Sequence, residues 1–364
     1  MTDAYYMKLA LRLARLGEGW VSPNPLVGAV IVKGDMIIGQ GHHRCYGGPH
    51  AEIEAISRIK EPLVGATVYV TLEPCSHFGK TPPCVTALIE CRPERVVIGT
   101  TDPNPLVAGR GIAALQRAGI ATIVGVEEEA CREINAAFFK FITTGLPYIT
   151  LKFAQTLDGR IASRTGHSQW VSSPPSRTFA HRLRHSHDAV LVGVGTVLQD
   201  DPDLTVRHVR GRNPLRIIVD SHLRLPLTAR ALQDQDKART IVVATRRQAT
   251  PEKIRQLAAS GVETLLVEED GAQRVDLDKL FRELGKRQIA SVLVEGGAAI
   301  VTSLLKTGAA DRLVAIVAPK IIGKGIEAVG DLGKKSMDEA IPVSFQRVYR
   351  LGGDVVIDAR LRNG

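Results

Sequence analysis

Three residues in the amino-terminal third of the chain have the types and order of a zinc site. His50 precedes a predicted helix, Cys75 follows a proline at the end of an apolar run, and Cys84 comes after eight intervening residues. One histidine and two cysteines suit Zn²⁺, and three protein ligands leave a fourth position for water, as catalytic zinc sites do. The pattern predicts one zinc ion per chain, bound by His50, Cys75 and Cys84.

Glu52 is the predicted catalytic residue of this site. It lies two residues after His50, close enough to reach a zinc-bound water without binding the metal. In zinc deaminases a glutamate of this kind moves protons to the leaving amine, and their signature is His-x-Glu followed by Pro-Cys-x-x-Cys. This chain departs from that signature because eight residues separate its cysteines. Each element alone is weak, since single histidines and buried cysteines are common packing residues, but the combination is specific.

The second half of the chain lacks a standard dinucleotide-binding motif. Gly193-Val-Gly195 comes closest to Gly-x-Gly-x-x-Gly, but no third glycine completes it. Glu295-Gly-Gly297 ends an apolar run, and a helix is predicted to begin at Ala298. The N–H groups of such a helix start suit a cofactor phosphate. A plain strand–helix turn is the simpler explanation from these residues alone.

The elements that must position the zinc residues alternate between helix and strand. Apolar runs at Gly28–Lys33 and Met36–His42 flank Gly34-Asp35, which predicts a hairpin. Asp3 is a predicted cap for a helix that ends near Leu16. Strands are further predicted at Thr67–Leu72 and Arg95–Thr100, and helices at Ala51–Ile59 and Val85–Glu90. Strands separated by helices indicate a three-layer α/β domain.

The segment Thr143–Pro147 interrupts this pattern, and we place a domain boundary there, giving residues 1–145 and 146–364. A second α/β domain is predicted after it. Ser173-Pro174 is a predicted helix start, and Gly352-Gly353 a predicted hairpin turn. The predicted strands of this half are Tyr148–Ala154, Ala189–Val194, Arg216–Val219, Thr240–Ala244, Thr264–Val267, Ser291–Val294, Leu313–Ala318, Val343–Tyr349 and Val355–Leu361.

Composition and charge restrict the classes of function. The chain has 364 residues, 44% hydrophobic and 23% charged, which is globular. Its net charge of +9 comes entirely from residues 146–364, which contain 33 basic and 24 acidic side chains. That excess fits nucleic acid, a membrane surface, a phosphorylated small molecule or a solvated basic surface. Five cysteines, no apolar run near the ~20 residues of a membrane helix and no signal-peptide pattern predict a cytoplasmic protein.

Longer motifs of the first half resemble a known family. His50-Ala-Glu52, Thr71-Leu-Glu-Pro-Cys-Ser-His77 and Thr81-Pro-Pro-Cys84 are similar to the deaminase half of the bifunctional riboflavin-biosynthesis deaminase/reductase. The resemblance implies a cytidine-deaminase-like fold, in which the long cysteine spacing is usual. It also implies that the pyrimidine ribotide is bound by Asn24, His42, Lys80, Asp102 and Asn104. Asn24 and Asn104 each lie beside a proline, so a turn role competes with substrate binding.

Motifs of the second half resemble the reductase half of the same family. They are Asp158-Gly-Arg160, Ser168-Gln-Trp170, Gly193-Val-Gly-Thr196, Asp200–Arg207, Asp220-Ser221 and Glu295-Gly-Gly297. The resemblance implies a dihydrofolate-reductase-like fold and NADPH as hydride donor. The implied cofactor residues are Ala154, Trp170, Thr196, Asp200, Ser221, Gly297, Ala298, Ala299, Ile300 and Val301. The implied substrate residues are Lys152, Ser168, Arg184, Leu204, Arg207 and Glu295.

Some of these residues have simpler explanations. Arg184 and Arg207 have the forked donors that a 5′-phosphate requires, but Arg182, His185 and Arg210 nearby indicate that a charged surface explains them too. Trp170 is one of two tryptophans and could equally anchor a core.

The expected function is zinc-dependent deamination of a diaminopyrimidine ribotide, followed by NADPH-dependent reduction of its ribosyl group to ribityl. We expect a small-molecule substrate, a homo-oligomer (dimer or tetramer), and neither nucleic acid nor membrane as partner. The alternative is a nucleic-acid or nucleoside deaminase with a non-catalytic basic carboxy-terminal binding domain. The neutral first half and an aromatic content of 4% argue against it, because stacking platforms are then few.

Overall fold

The computed structural model describes residues 1–59, 62–78, 82–105 and 107–361. The chain forms two compact units, Met1–Gly145 and Leu146–Gly364. Gly145 ends the last helix of the first unit with a φ of 70°, a left-handed conformation that favours glycine. In the described ranges, no helix has both the length and the apolar composition needed to cross a bilayer.

The first unit contains a five-stranded mixed sheet with the strand order β2-β1-β3-β4-β5. Strand β1 pairs antiparallel with β2 and β3, whereas β3, β4 and β5 are parallel. The strands are β1 Gly28–Lys33, β2 Met36–His42, β3 Ala66–Val70, β4 Arg95–Ile98 and β5 Ala121–Val124. The helices are α1 Asp3–Ala14, α2 Ala51–Ile56, α3 Cys84–Cys91, α4 Arg110–Arg117, α5 Glu128–Ile134 and α6 Ala136–Thr144.

Alternating side chains of β1 supply the two cores of this unit. Ala29 and Ile31 pack with α2, α3 and α4, while Val30 and Val32 pack with α1 and α5 on the other face. The sheet therefore has helices on both faces, and the predicted three-layer arrangement is confirmed. The predicted hairpin around Gly34-Asp35 also forms, with a bulge between Ile31 and Val32.

The start of α1 differs from the prediction. Thr2, not Asp3, caps the helix, and its hydroxyl accepts a hydrogen bond from the Tyr5 N–H. Asp3 instead accepts two hydrogen bonds from Arg95 (2.8 and 3.1 Å) and one from the Tyr69 hydroxyl (2.7 Å). The helix also ends at Ala14 rather than Leu16, because a short 3₁₀ turn follows it.

The second unit contains a nine-stranded sheet with the order β11-β10-β9-β8-β12-β6-β13-β16-β15. The seven strands from β11 to β13 in that order are parallel, and the hairpin β15–β16 adds two antiparallel strands. Its strands are β6 Tyr148–Thr156, β8 Ala189–Gly193, β9 Leu215–Val219, β10 Thr240–Thr245, β11 Glu263–Val267, β12 Ser291–Val294, β13 Arg312–Ala318, β15 Val343–Leu351 and β16 Asp354–Leu361. A separate two-stranded ribbon joins β7 Arg160–Ser163 to β14 Gly325–Glu327.

Helices cover both faces of this sheet. Leu183 of α7, Val197 of α8 and Leu257 of α9 pack in one core. Leu280 of α10 and Val301 of α11 pack in the other. These helices are α7 Pro174–Ser186, α8 Val194–Asp200, α9 Pro251–Ala259, α10 Leu277–Lys286 and α11 Ala298–Thr307.

The parallel strands determine where the predicted reductase residues lie. Carboxyl ends of neighbouring parallel strands meet at one edge of a sheet, which is where open α/β sheets bind ligands. Thr196 follows β8, Ser221 follows β9 and Gly297 follows β12, although up to a hundred residues separate them in sequence. The sheet therefore brings three of the predicted cofactor residues to one edge.

Candidate metal centre and cofactor site

The structure brings His50, Cys75 and Cys84 together in the first unit. Their possible ligand atoms all lie within 4.8 Å of one another, and among the described residues this is the one such cluster of His, Cys, Asp and Glu. His50 Nδ1 lies 3.2 Å from Cys84 Sγ and 3.5 Å from Cys75 Sγ. One nitrogen and two sulfurs at this spacing fit the donor set of a zinc ion.

Two helix starts position these ligands. His50 is the extended residue before α2, and Cys84 is the first residue of α3. Cys75 lies against the start of α3, where its Sγ accepts a hydrogen bond from the Cys84 N–H (3.3 Å) and its carbonyl accepts one from Val85 (3.2 Å). Hydrogen bonds from the Cys84 side chain, His50 and the Cys84 N–H lower the pKa of Cys75 well below its usual value, although burial acts in the opposite direction. The site thus stabilises the thiolate form that binds a metal.

Glu52 is buried beside the three ligands, with 3% of its surface exposed. Burial, and then the neighbouring Cys75, raise the pKa of Glu52 to about 7. A carboxyl group with this pKa can take up and release a proton near neutral pH, which is what general acid–base catalysis needs.

The second unit has a buried cluster of three charged side chains. Glu295, directly after β12, is paired with Arg184 of α7 through two hydrogen bonds of 2.6 and 3.0 Å. Lys152 of β6 lies 3.8 Å from the same carboxylate. Burial would raise the pKa of Glu295, but Arg184 and Lys152 outweigh it and hold that pKa at about 2. Burial lowers the pKa of Lys152. Two cations against one anion leave a positive charge, which suits an anionic ligand.

The start of α11 fits the phosphate of a cofactor. Gly297 is the extended residue before the helix, and a Cβ there would lie 3.7 Å from Thr196 Oγ1. A Cβ on Gly195 would meet nothing within 4 Å. The first N–H groups of a helix have no partner within it, and the dipole there favours an anion. These residues leave room and donors for a dinucleotide phosphate at the sheet edge.

Comparison with known proteins identifies both halves. Residues 1–100 match the family model for the cytidine and deoxycytidylate deaminase zinc-binding region, and residues 147–357 match the RibD C-terminal domain. The riboflavin biosynthesis protein RibD of Aquifex aeolicus is 48% identical over 98% of this chain and 97% of its own. The chain belongs to the RibD family. RibD enzymes carry a deaminase and a reductase in one chain and act in riboflavin biosynthesis, so a deaminase with a non-catalytic second domain is not favoured.

Solved RibD structures share the whole architecture. A RibD of Acinetobacter baumannii superposes with a TM-score of 0.88 at 36% identity, covering 99% of each chain. A Thermotoga maritima protein described as a diaminohydroxyphosphoribosylaminopyrimidine deaminase/5-amino-6-(5-phosphoribosylamino)uracil reductase gives 0.86 at 38% identity, again over 99% of each chain. The predicted combination of a cytidine-deaminase-like and a RibD reductase domain is confirmed.

In this RibD chain, His43 rather than the predicted His42 lies beside the metal ligand His50. His43 is buried, its ring lies 5.3 Å from that of His50, and its Nε2 accepts a hydrogen bond from the Asn24 amide (3.1 Å). His42 instead has Arg44, Glu54 and Arg58 as its charged neighbours. Side chains alternate at the end of β2, so adjacent histidines point to different surroundings. In the sequence, the signal for His43 is that it directly follows the predicted residue His42.

Other predicted deaminase residues lie in the loop after β4. Asp102 is buried, and burial raises its pKa to about 6. Its Oδ1 accepts a hydrogen bond from the Asn104 N–H (2.8 Å), so the Asp102 side chain closes a turn on the backbone of Asn104. Lys80, the remaining predicted residue, lies outside the described residues.

The other predicted reductase residues differ in their surroundings. Ser168 donates to Asp200 (3.0 Å), which joins a predicted substrate residue to a predicted cofactor residue. Trp170 is 61% exposed and stacks on Arg177, so the alternative of a core anchor is wrong. Ala154 lies partly buried on β6. The Ser221 hydroxyl accepts from the Val275 N–H (3.0 Å).

Two predicted ligand residues have their side chains in the core instead. Leu204 packs with the α7–α9 core and Val301 with the α10–α11 core. Each exposes 2% or less of its surface, so only their backbones are available to a ligand. Of these backbone groups, the Val301 N–H is also occupied, because it bonds to the Gly297 carbonyl, as the Ile300 N–H does. The N–H groups of Ala298 and Ala299 are then the better phosphate donors.

Asp203, to which the sequence assigns no role of its own, binds the guanidinium group of Arg207, the residue predicted to bind the phosphate. Asp203 Oδ2 accepts hydrogen bonds from Arg207 Nη1 (2.6 Å) and from Arg230. The Arg207 N–H also donates to His181 (3.0 Å). Arg184 differs, because Glu295 and the Thr205 carbonyl occupy its guanidinium. Arg207 is consequently the more accessible arginine for a phosphate.

Proposed function

We propose that residues 1–145 deaminate 2,5-diamino-6-(5-phosphoribosylamino)pyrimidin-4-one and that residues 146–364 reduce the product with NADPH. The observation that carries the proposal is the buried Glu52 beside His50, Cys75 and Cys84. The activity printed for the Thermotoga maritima relative supports the choice of substrate.

In the deaminase half, His50, Cys75 and Cys84 would hold one zinc ion. A catalytic zinc ion lowers the pKa of a coordinated water to about 7 and so makes a nucleophile available at neutral pH. Glu52 would accept a proton from the attacking water and deliver it to the departing 2-amino group, which leaves as ammonia. The raised pKa of Glu52 supports both halves of that transfer.

In the reductase half, NADPH would supply a hydride to C1 of the opened ribosyl group. Thr196, Gly297 and the first N–H groups of α11 hold the cofactor phosphates. Lys152 and Glu295 line the reacting sugar, and Arg207 binds its 5′-phosphate. The positive charge of the buried cluster supports binding of an anionic ribotide.

The direct experiment uses purified protein and the diaminopyrimidine ribotide, with and without NADPH. Ammonia release and the loss of NADPH absorbance are followed together. We expect ammonia in both reactions and NADPH oxidation only after ammonia appears. Ammonia without NADPH oxidation would contradict the reductase assignment, and no ammonia would contradict the deaminase assignment.

We also propose a cytoplasmic homo-oligomer, a dimer or tetramer. All five cysteines are unpaired, which supports a reducing compartment. The edge strand β15 exposes Val343, Phe345 and Val348 on one face, and a second copy of the chain would cover them. Light scattering on the purified protein measures the mass, and Phe345→Glu should shift it to the monomer.

A further inference from the structure

Glu73 is a buried carboxylate that neither the zinc site nor the reductase site uses. It lies two residues before Cys75, and 3% of its surface is exposed. Its two oxygens accept four backbone hydrogen bonds. Oε2 accepts from Asp102 (3.3 Å) and Gly109 (3.0 Å), and Oε1 from Gly111 (2.9 Å) and Ile112 (3.3 Å).

These donors belong to the loop after β4 and to the start of α4. No described cation forms an ion pair with Glu73, so the N–H groups and the helix dipole balance its charge. Four charge-assisted hydrogen bonds to one carboxylate fix the loop with respect to the chain at Cys75. The Asp102 carboxylate in turn accepts a hydrogen bond from the Asn104 N–H, so Asn104 is linked to Glu73 through Asp102.

The packing around Gly111 also holds the start of α4 against the segment before Cys75, and this contact involves no charge on Gly111. A Cβ at Gly111 would lie 2.2 Å from the Pro74 carbonyl oxygen and 3.2 Å from Glu73 Oε1. The start of α4 therefore lies directly against the segment that ends in Cys75, and glycine is required for that approach.

We propose that Glu73 is a positioning residue for the deaminase: it sets the distance between the metal ligand Cys75 and the substrate-binding groups of Asp102 and Asn104. This inference rests on the proposed function and on the binding of the ribotide by Asp102 and Asn104, which the family resemblance implies. Glu73 is not one of the three predicted metal ligands, and it acts through the backbone of the loop.

The test variant is Glu73→Gln, with Glu94→Gln as matched control, because Glu94 is an exposed carboxylate of the same unit. An amide of the same size accepts at one end only, so two of the four hydrogen bonds are lost. Loss of ground-state and transition-state binding alike raises KM at unchanged kcat. We expect the KM for the ribotide to rise on the order of 10-fold, with zinc still at one per chain and reduction unchanged.

Gly111→Ala tests the same connection without altering the carboxylate. It should give the same rise in KM, with zinc retained. Zinc loss with a fall in kcat in both variants would show that Glu73 acts on Cys75 rather than on the loop. An unchanged KM with only a lower melting temperature would overturn the proposal.

Amide hydrogen exchange separates this proposal from the proposed function. In Glu73→Gln, peptides covering residues 101–112 should exchange faster, while those of residues 28–42 should not. If wild-type protein releases no ammonia from the ribotide, the proposed function fails, and the exchange result still decides whether Glu73 holds the loop. Unchanged exchange in residues 101–112 would contradict the positioning role directly.

Discussion

Substitution of single side chains at the metal centre distinguishes metal binding from proton transfer. Glu52→Gln keeps the size of the side chain but cannot accept a proton, and it leaves all three metal ligands in place. We expect zinc to stay at one per chain while deamination falls by about 10²–10⁴-fold, the usual contribution of general acid–base catalysis. Metal analysis and an ammonia assay on one preparation check this. Cys84→Ser is the contrasting variant and should lose both zinc and activity; near-normal deamination by Glu52→Gln would refute its role.

A buried histidine of the second unit predicts how stability changes with pH. His187 donates from Nδ1 to the Leu183 carbonyl (2.7 Å), and its Nε2 lies 2.9 Å from the Thr150 hydroxyl. Burial lowers the pKa of His187 to about 4 from 6.5. Between those values the unfolded chain binds a proton that the folded chain does not, so stability is lost as the pH falls through that window.

The size of this effect follows from the shift, at 1.36 kcal/mol per pKa unit, and is on the order of 3 kcal/mol. Urea unfolding of the protein at pH 7.5 and 4.5 measures most of it. His187→Gln should flatten the dependence, although not completely, because burial also lowers the pKa of His181 to about 4. His167→Gln, at an exposed position, should leave the slope unchanged. An unaltered pH dependence of the unfolding free energy in His187→Gln would show that His187 does not cause it.

Among the elements, helix α7 depends on one carboxylate of the terminal hairpin. Asp354, the first residue of β16, accepts hydrogen bonds from the Ser173 N–H (2.8 Å), the Ser173 hydroxyl (2.7 Å) and the Ser176 hydroxyl (2.6 Å). Because α7 carries Arg184, the hairpin also supports the buried charge cluster.

Asp354→Ala should leave these buried and partly buried donors without their acceptor. The expected loss is about 2–4 kcal/mol of unfolding free energy, since an unsatisfied buried donor costs roughly 1–3 kcal/mol. Chemical denaturation measures it, with Asp338→Ala at an exposed position as control. A loss no larger than in the control would mean that water replaces the carboxylate.

At the scale of the whole molecule, the proposed ligand sets do not cross Gly145. Glu52→Gln should therefore still reduce a supplied 5-aminouracil ribotide with NADPH.

Arg207→Ala should continue to release ammonia, while its kcat/KM for reduction falls about 10–150-fold, the equivalent of one lost charge-assisted hydrogen bond. The neighbouring Arg210→Ala is the matched control. Equal slowing of phosphorylated and dephosphorylated substrates would make Arg207 structural, and loss of reduction in zinc-loaded Glu52→Gln would contradict independent sites.

The sequence predicts features that depend on neighbouring residues or on short, ordered motifs. The hairpin at Gly34-Asp35 follows from local turn chemistry, and the grouping of His50, Cys75 and Cys84 from the order of ligand types. Roles that depend on distant partners were not predictable. Asp3 satisfies the local rule for a cap, but Arg95 lies 92 positions away and binds it instead. Glu73 gives no local signal either, because its donors lie 29 to 39 positions later.

The division at Gly145 has a consequence for the gene. Every strand of the five-stranded sheet is encoded before that codon, and every strand of the nine-stranded sheet after it. One stop codon and one start codon at this point would divide the reading frame without cutting either sheet. Fusion of two ancestral genes, or their later separation, would likewise require a single event.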